Sequence, residues 1–186
     1  MSRRVESLSG ERLYLRPLEV TDLELCQVWI NDPEIRPYLS RAFPADRAGQ
    51  RAWIEKQDRG DIRSGLALAI VLREGNRHIG NMGLHRINWI HRSAETGTLI
   101  GERDCWSQGY GSEAKLLLVE YAFNILGLNR LSSRVLATNP RSLACQLKCG
   151  YVEEGRIRQA MFKDGQWVDE ILLGLLAEEW RTARNK

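Results

Sequence analysis

The spacing of apolar residues predicts a short extended segment at Arg12–Leu15, ended by Arg16-Pro17. Thr21 or Asp22 then caps a helix running to about Ile30, with Leu23, Leu25, Cys26, Val28, Trp29 and Ile30 as its apolar face. Asp32-Pro33 opens a second short helical piece. A third helix is expected over about 46–59, ended by Gly60. From Leu66 the pattern changes to strands. Two flank the turn Glu74-Gly75-Asn76, and a third covers Ser93–Gly101. Gly111–Leu126 is apolar around most of its circumference, leaving a polar strip near Glu113, Glu120 and Asn124, so it reads as a helix buried against a sheet. Gly127 stops it, and Leu128 is placed to pack back on its last turn. Leu131–Ala137 is the next strand. Asn139 caps a helix with Pro140 in its first position, and Gly150 ends it. Strands at Tyr151–Arg158 and Trp167–Leu173 flank the turn Lys163-Asp164-Gly165-Gln166, and a short helix at about Ala177–Arg184 closes the chain. The order describes a mixed α/β domain with six or seven strands and helices on the sheet's faces. Residues 1–10 read as a frayed, flexible end, and 11–182 as one domain.

Composition narrows the class. The chain has 186 residues, 43% hydrophobic and 27% charged, which excludes disorder, collagen and coiled coil. No run of about 18 apolar residues exists, so no transmembrane helix is expected. The opening arginines lack an apolar stretch behind them, so no secretory signal is read and the expected location is cytoplasmic. A net charge of +3 and a pI near 8.8 fit an anionic small molecule and do not demand nucleic acid. Cys26, Cys105, Cys145 and Cys149 form no C-x-x-C pair and read as ordinary buried thiols, so no metal is expected.

The most informative stretch is Asp104–Ala114, in which Gly109 and Gly111 precede the long buried helix. A helix start presents unpaired N–H groups and the positive end of its dipole, and glycines let a ligand approach the backbone, so the turn suits a phosphate or diphosphate. A nucleoside triphosphate loop needs Lys-Ser/Thr after its last glycine, and none follows. The spacing of Gly109, Gly111 and Ala114 matches a dinucleotide fingerprint, but that fold needs an acidic residue about 20 positions on, and Tyr121–Val152 holds no Asp or Glu. The diphosphate of coenzyme A remains, beside the plainer reading of a tight turn with no ligand.

Five pieces then resemble one family in order: LYLRPLEVTDL, HIGNMGLH, AETGTLIGERDCWSQGYGSEA, NRLSSRVLATNPRSLACQLKCGYVEEGRIR and FKDGQWVDEILLGLL. The chain resembles the GNAT N-acetyltransferase superfamily over about 11–182, in the branch similar to the ribosomal-protein alanine acetyltransferases. The superfamily's [QR]-x-x-G-x-[GA] starts here with Trp106, which resembles that branch and leaves the phosphate contact to the backbone of 108–112. The resemblance implies the GNAT fold, with mostly antiparallel strands, acetyl-CoA as co-substrate, and an amine acceptor. That acceptor is a protein N-terminus or a small amine such as a polyamine, amino sugar or antibiotic. A homodimer fits the branch, and no residue marks its interface. A binding-only relative that senses acyl-CoA is the rival from another class.

The resemblance also assigns roles. Gln108, Gly109, Tyr110, Gly111 and Ser112 hold the diphosphate. Leu99, Ile100 and Gly101 end a strand that splays from its neighbour, with the Ile100 N–H near the thioester carbonyl. Asn139 meets the pantetheine arm, and Ser142 donates to the departing sulfur. An ammonium has no lone pair, so the acceptor must lose a proton before it attacks. Glu95, between small residues in a partly apolar cleft that would raise its pKa, is the expected base, directly or through water. The plain alternative for Glu95 is a cross-strand partner of an arginine. Trp29, Tyr38, Trp53 and His85 are the acceptor-side candidates. Phe43, Asp32 and Glu34 lie in the same segment, and His85 and His91 are weaker candidates as bases.

Overall fold

The computed structural model describes residues 7–41, 43–58 and 65–184. The strands are β1 (Leu8–Ser9), β2 (Leu13–Pro17), β3 (Leu66–Leu72), β4 (His78–Asn88), β5 (Ser93–Ile100), β6 (Arg130–Leu136), β7 (Val152–Lys163) and β8 (Gln166–Leu176). The helices are α1 (Leu23–Asn31), α2 (Arg47–Asp58), α3 (Tyr110–Glu120), α4 (Pro140–Lys148) and α5 (Ala177–Arg184). They build one eight-stranded sheet, ordered β1-β2-β3-β4-β5-β6-β8-β7, in which only β5 and β6 run parallel. A parallel pair needs a crossover, and α3 supplies it.

The strand count exceeds the six or seven expected. Leu8–Ser9, assigned above to a frayed end, pairs with β2, and the Ser7 N–H donates to the Leu15 carbonyl at 2.9 Å. The strand expected over Tyr151–Arg158 starts at Val152 and runs on to Lys163. The helical piece expected at Asp32-Pro33 is a single 3-10 turn at Arg36–Tyr38. The stop expected at Gly60 lies outside the described residues.

β3 explains how the layers form. Leu68 and Ile70 point into one core with Leu13 and Leu15 of β2 and with Ala114, Leu118 and Val119 of α3. Ala67, Ala69 and Val71 point into a second core with Leu23 and Cys26 of α1 and Ile54 of α2. A strand covered on both faces reads as a continuous apolar run, as LALAIVL does. The α3 end is also as expected: Gly127 has φ 65°, a left-handed value suited to glycine, and the Leu128 N–H donates to the Ala122 carbonyl at 2.9 Å.

Asp22 does not cap α1 with its side chain. Its carboxylate takes both terminal nitrogens of Arg16 at 2.7 Å and the Glu19 N–H at 2.9 Å, with His78 Nδ1 3.3 Å away. Arg16 and Asp22 are both buried, and the pair ties β2 to the start of α1. Burial pushes the Asp22 carboxyl up, but hydrogen bonds from Arg16, His78 and Glu19 outweigh it and hold the group well below the carboxylate range. A depressed folded-state pKa adds stability above the unfolded value, about 3.9, and that stability is lost as pH falls toward the folded value. Asp22→Asn should therefore cost roughly 3–5 kcal/mol at pH 7, because it strands the Arg16 charge, and the penalty should shrink below about pH 4. Urea unfolding at both pH values checks this.

Candidate active site

The parallel pairing of β5 and β6 covers only Ser93–Glu95 against Arg130–Ser132. Beyond it, β5 stays with β4 as far as Ile100, while β6 stays with β8. The two strands therefore part, and a V-shaped opening begins beside Glu95. The Gly101 N–H donates to the Ile79 carbonyl at 2.8 Å, toward β4. Alternation along an antiparallel ladder then aims the backbone groups of Ile100 and Thr98 the other way, into the opening. The Ile100 carbonyl does point there, accepting from Trp106 Nε1 at 2.8 Å.

Two grooves meet at this opening, of about 440 Å³ and 420 Å³. Tyr38, Thr98, Leu99, Asn139, Ser142 and Gln146 line both. At the junction Thr98 Oγ1 and Gln146 Oε1 are buried with no hydrogen-bond partner among the described residues. Two orphaned polar atoms in residues that line both grooves are costly unless a bound molecule satisfies them. Gln146 is only 3% exposed and is a site residue the sequence reading missed. Its position i+7 from the cap Asn139 was the available signal, since it places both residues on one helix face.

The smaller groove runs to the start of α3 and is lined by Gly109, Gly111 and Ser112. Gly109 takes the N-cap position at φ 83°, and no side chain caps the helix. The first helical bond is Glu113 N–H to the Gly109 carbonyl at 3.0 Å, so the N–H groups of Tyr110, Gly111 and Ser112 have no partner within the helix. Arg12 fixes the turn: its backbone N–H and Nε each donate to Glu113 at 2.8 Å, and Nη1 donates to the Gln108 carbonyl at 3.0 Å. Arg141 adds positive charge, 4.0 Å from the Trp106 ring centre and 5.3 Å from that of Tyr38, and Lys148 also lines the groove. Unpaired amides, a glycine cradle and two cations fit an anionic carrier.

Some assignments are not brought to this groove. The Gln108 side chain is exposed and folds back on the Asp104 carbonyl, while the Tyr110 ring packs under Arg12. Only the backbone of these two residues can serve a phosphate. Gly101 and Trp29 line neither groove: a Cβ on Gly101 would fall 2.0 Å from the Trp29 ring, so the glycine makes room for a buried indole, whose Nε1 donates to Glu102 at 3.0 Å. Trp29 is thus a packing residue rather than an acceptor contact.

The larger groove holds Trp53, His85 and Glu95. Asp32, Glu34, Phe43 and His91 stay outside it. Asp32 accepts the Glu34 N–H, Phe43 is 79% exposed, and His91 sits on a surface turn with its N–H on Asn88. The cleft around Glu95 is not apolar. Oε2 of Glu95 lies 2.9 Å from Arg86 Nη1 and 3.9 Å from Arg134 Nε, so the arginine-partner alternative is realised in the same residue. A register shift between His85 and Asn88, with Arg86 at φ 50°, turns that guanidinium toward it. Arg134 also pairs with buried Glu170 at 3.1 Å, a second groove carboxylate missed in the sequence. His85 stands opposite Glu95 in the β4–β5 register. Burial lowers its pKa more than Glu95 raises it, which favours a neutral ring. Thr96 Oγ1 lies 3.0 Å from the hydroxyl of Tyr151, which is buried in the core beneath the opening.

The acetyltransferase (GNAT) domain model matches residues 12–152. The uncharacterised N-acetyltransferase p20 of Bacillus licheniformis is 31% identical over 95% of this chain and 99% of its own length. Spermidine N(1)-acetyltransferase of Vibrio cholerae is 29% identical over 86% of this chain and 90% of its own. The crystal structure of the Vibrio cholerae spermidine N-acetyltransferase with CoA and spermine superposes with a TM-score of 0.84 at 24% identity, covering 92% of this chain and 99% of that one. Among the described residues no group of three or more His, Cys, Asp or Glu side chains could hold a metal ion, and no helix is long and apolar enough to cross a membrane. The chain therefore belongs to the GNAT acetyltransferase domain family, and it is an N-acetyltransferase that uses acetyl-CoA.

Proposed function

We propose that this enzyme acetylates an α-amine, at the N-terminus of a polypeptide or on a small amine of similar charge, by direct attack in a ternary complex. The observation that carries the reading is the charge balance of the larger groove. Among the described residues its two carboxylates, Glu95 and Glu170, are each matched by an arginine, Arg86 and Arg134. A polyamine brings two or more positive charges and needs surplus carboxylate to hold them. An amine attached to an otherwise neutral or anionic body does not.

Acetyl-CoA supplies an activated acyl group, so no covalent enzyme intermediate is needed. The α3 amides from Tyr110 to Ser112 hold its diphosphate, with Arg141 and Lys148 adding charge. The Ile100 N–H polarises the thioester carbonyl as an oxyanion develops. Glu95 accepts the acceptor's proton through water, with neutral His85 beside it. Ser142 donates to the departing sulfur, and Asn139 fixes it by accepting the Ser142 N–H at 3.0 Å. The orphaned atoms of Thr98 and Gln146 take hydrogen bonds where the two substrates meet. An α-amine titrates near about 7.7–8.0, so a modest base suffices.

A second reading, polyamine acetylation, is favoured by the similarity to the Vibrio cholerae spermidine N(1)-acetyltransferase. Steady-state rates separate the two. A short peptide with a free N-terminus should exceed spermidine in kcat/KM by at least about tenfold, ~1.4 kcal/mol, and the same peptide with a blocked N-terminus should not react. Spermidine as the better acceptor would establish the second reading instead.

A further inference from the structure

Cys145, Cys149 and Lys115 form a cluster under the cofactor-side groove that acetyl transfer does not use. Cys145 lines that groove and is the one cysteine of the four that is not buried. Its Sγ lies 3.4 Å from the Ser112 hydroxyl and 3.7 Å from the place a Cβ on Gly111 would occupy. Below it, Lys115 of α3 is 0% exposed, and its Nζ has no hydrogen-bond partner among the described residues. The ammonium faces the two thiols and lies 5.8 Å from the Tyr151 ring centre.

A buried ammonium needs a counter-charge or it loses its proton. Among the described residues no carboxylate pairs with Lys115, and the charges that act on it are the thiols of Cys145 and Cys149. The titratable and charged groups facing Cys145 are Lys115 from α3, Lys148 from α4, and Cys149 and Tyr151 just after it, with Arg141 of α4 lining the same groove; His85 faces Lys115 from β4. Cys149 is buried, lies 3.6 Å from the Ser112 carbonyl, and keeps its proton. Hydrogen bonding from Cys149 first, opposed by burial and then reinforced by Ser112, Lys115 and Lys148, holds the Cys145 thiol below the ordinary thiol range. Burial drives Lys115 down to about 8 and pushes the Cys26 and Cys105 thiols up. A thiolate open to a groove is the reactive form of cysteine.

We propose that Cys145 is a thiol-exchange site in the wall of the cofactor groove, open to small disulfides, whose mixed disulfide shuts the acyl carrier out. The Cys145 thiolate attacks one sulfur of R–S–S–R. A Cys145–S–S–R bond forms, the R–S–S–R bond breaks, and the other sulfur leaves with the electron pair as RS⁻ and takes a proton from solvent. The reaction at Cys145 is independent of the proposed acceptor. Only the shutting-out rests on the carrier lying in this groove.

The probe is bis(2-hydroxyethyl) disulfide, followed by intact mass and peptide mapping on the whole chain without acetyl-CoA. One adduct should form on Cys145, about tenfold or more faster than on the other three cysteines, with a half-maximal rate at least about a unit below the ordinary thiol value near 8.5. Cys145→Ala should abolish it. Lys115→Met should move the rate's midpoint upward by a unit or more, and Cys149→Ala, which keeps the Lys115 side chain and removes the hydrogen bond to Cys145, should give a second upward shift. First modification elsewhere, or a midpoint in the ordinary thiol range near 8.5, overturns the site. Saturating acetyl-CoA should then slow the adduct. Labelling at Cys145 that acetyl-CoA leaves untouched overturns the shutting-out and the carrier's place in this groove, without touching the thiol's reactivity.

Discussion

Gly111→Val is expected to weaken acetyl-CoA binding by about 100-fold, ~2.7 kcal/mol, while leaving the fold intact. The reason is local. A Cβ at 111 meets only Cys145 Sγ and Ile100 Cγ1, each at 3.7 Å, which is ordinary contact. The two further methyls of valine extend into the groove, where a diphosphate must reach the free amides of Tyr110 to Ser112. Gly111→Ala should fall between the two. Gly109 is the wrong place for this test, because φ 83° makes any side chain there strained, and lost binding would be confounded with a distorted turn. Titration calorimetry with acetyl-CoA, beside a thermal melt, checks it. A valine variant with undiminished affinity and an unchanged melt would remove the diphosphate from this turn.

Glu95→Gln is expected to lower kcat/KM by about 10²–10⁴-fold with little change in acetyl-CoA affinity. Glutamine keeps the size of the side chain and loses the proton-accepting charge. It also frees Arg86, while Arg134 keeps Glu170, so a shifted Arg86 accounts for part of the loss. A matched Arg86→Gln variant measures that part: if it costs as much as Glu95→Gln, the carboxylate acts by holding charge and not by taking a proton. His85→Gln provides the remaining control. Burial lowers the His85 pKa, which favours a neutral ring able to accept a proton beside Glu95. A Glu95→Gln enzyme at near-full rate beside an inactive His85→Gln enzyme would transfer the role of base.

The residues of β3 and α3 were legible before the fold was known, because their environments are set by repeating patterns. LALAIVL is apolar at every position, and each of its faces does meet a core. The same holds for the caps. Asn139 accepts the Ser142 N–H, and Gly109 and Gly127 take left-handed angles where a turn meets a helix end. Asp22 was misread for the complementary reason. A carboxylate before a helix looks like a cap along the chain, but a guanidinium from a neighbouring strand binds it more strongly than two backbone amides would. Trp29 was misread alike: an aromatic residue on the apolar face of α1 reads the same whether it faces a groove or fills the space a glycine leaves.

Sequence by itself therefore determined most of the order of elements, the buried helix and the glycine turn at its start, which follow from periodicity and from backbone groups that every helix start exposes, both of which are local. The family and its carrier came from the resemblance of five ordered pieces to known N-acetyltransferases. Tertiary structure decided where β5 and β6 part, that Glu95 is held between arginines, that Gln146 and Thr98 line both grooves with unsatisfied atoms, and that Lys115 is buried beside two thiols. Each of these depends on which positions a parallel pairing and two helices bring together across tens of residues, and such contacts are fixed by register and packing rather than by any pattern along the chain.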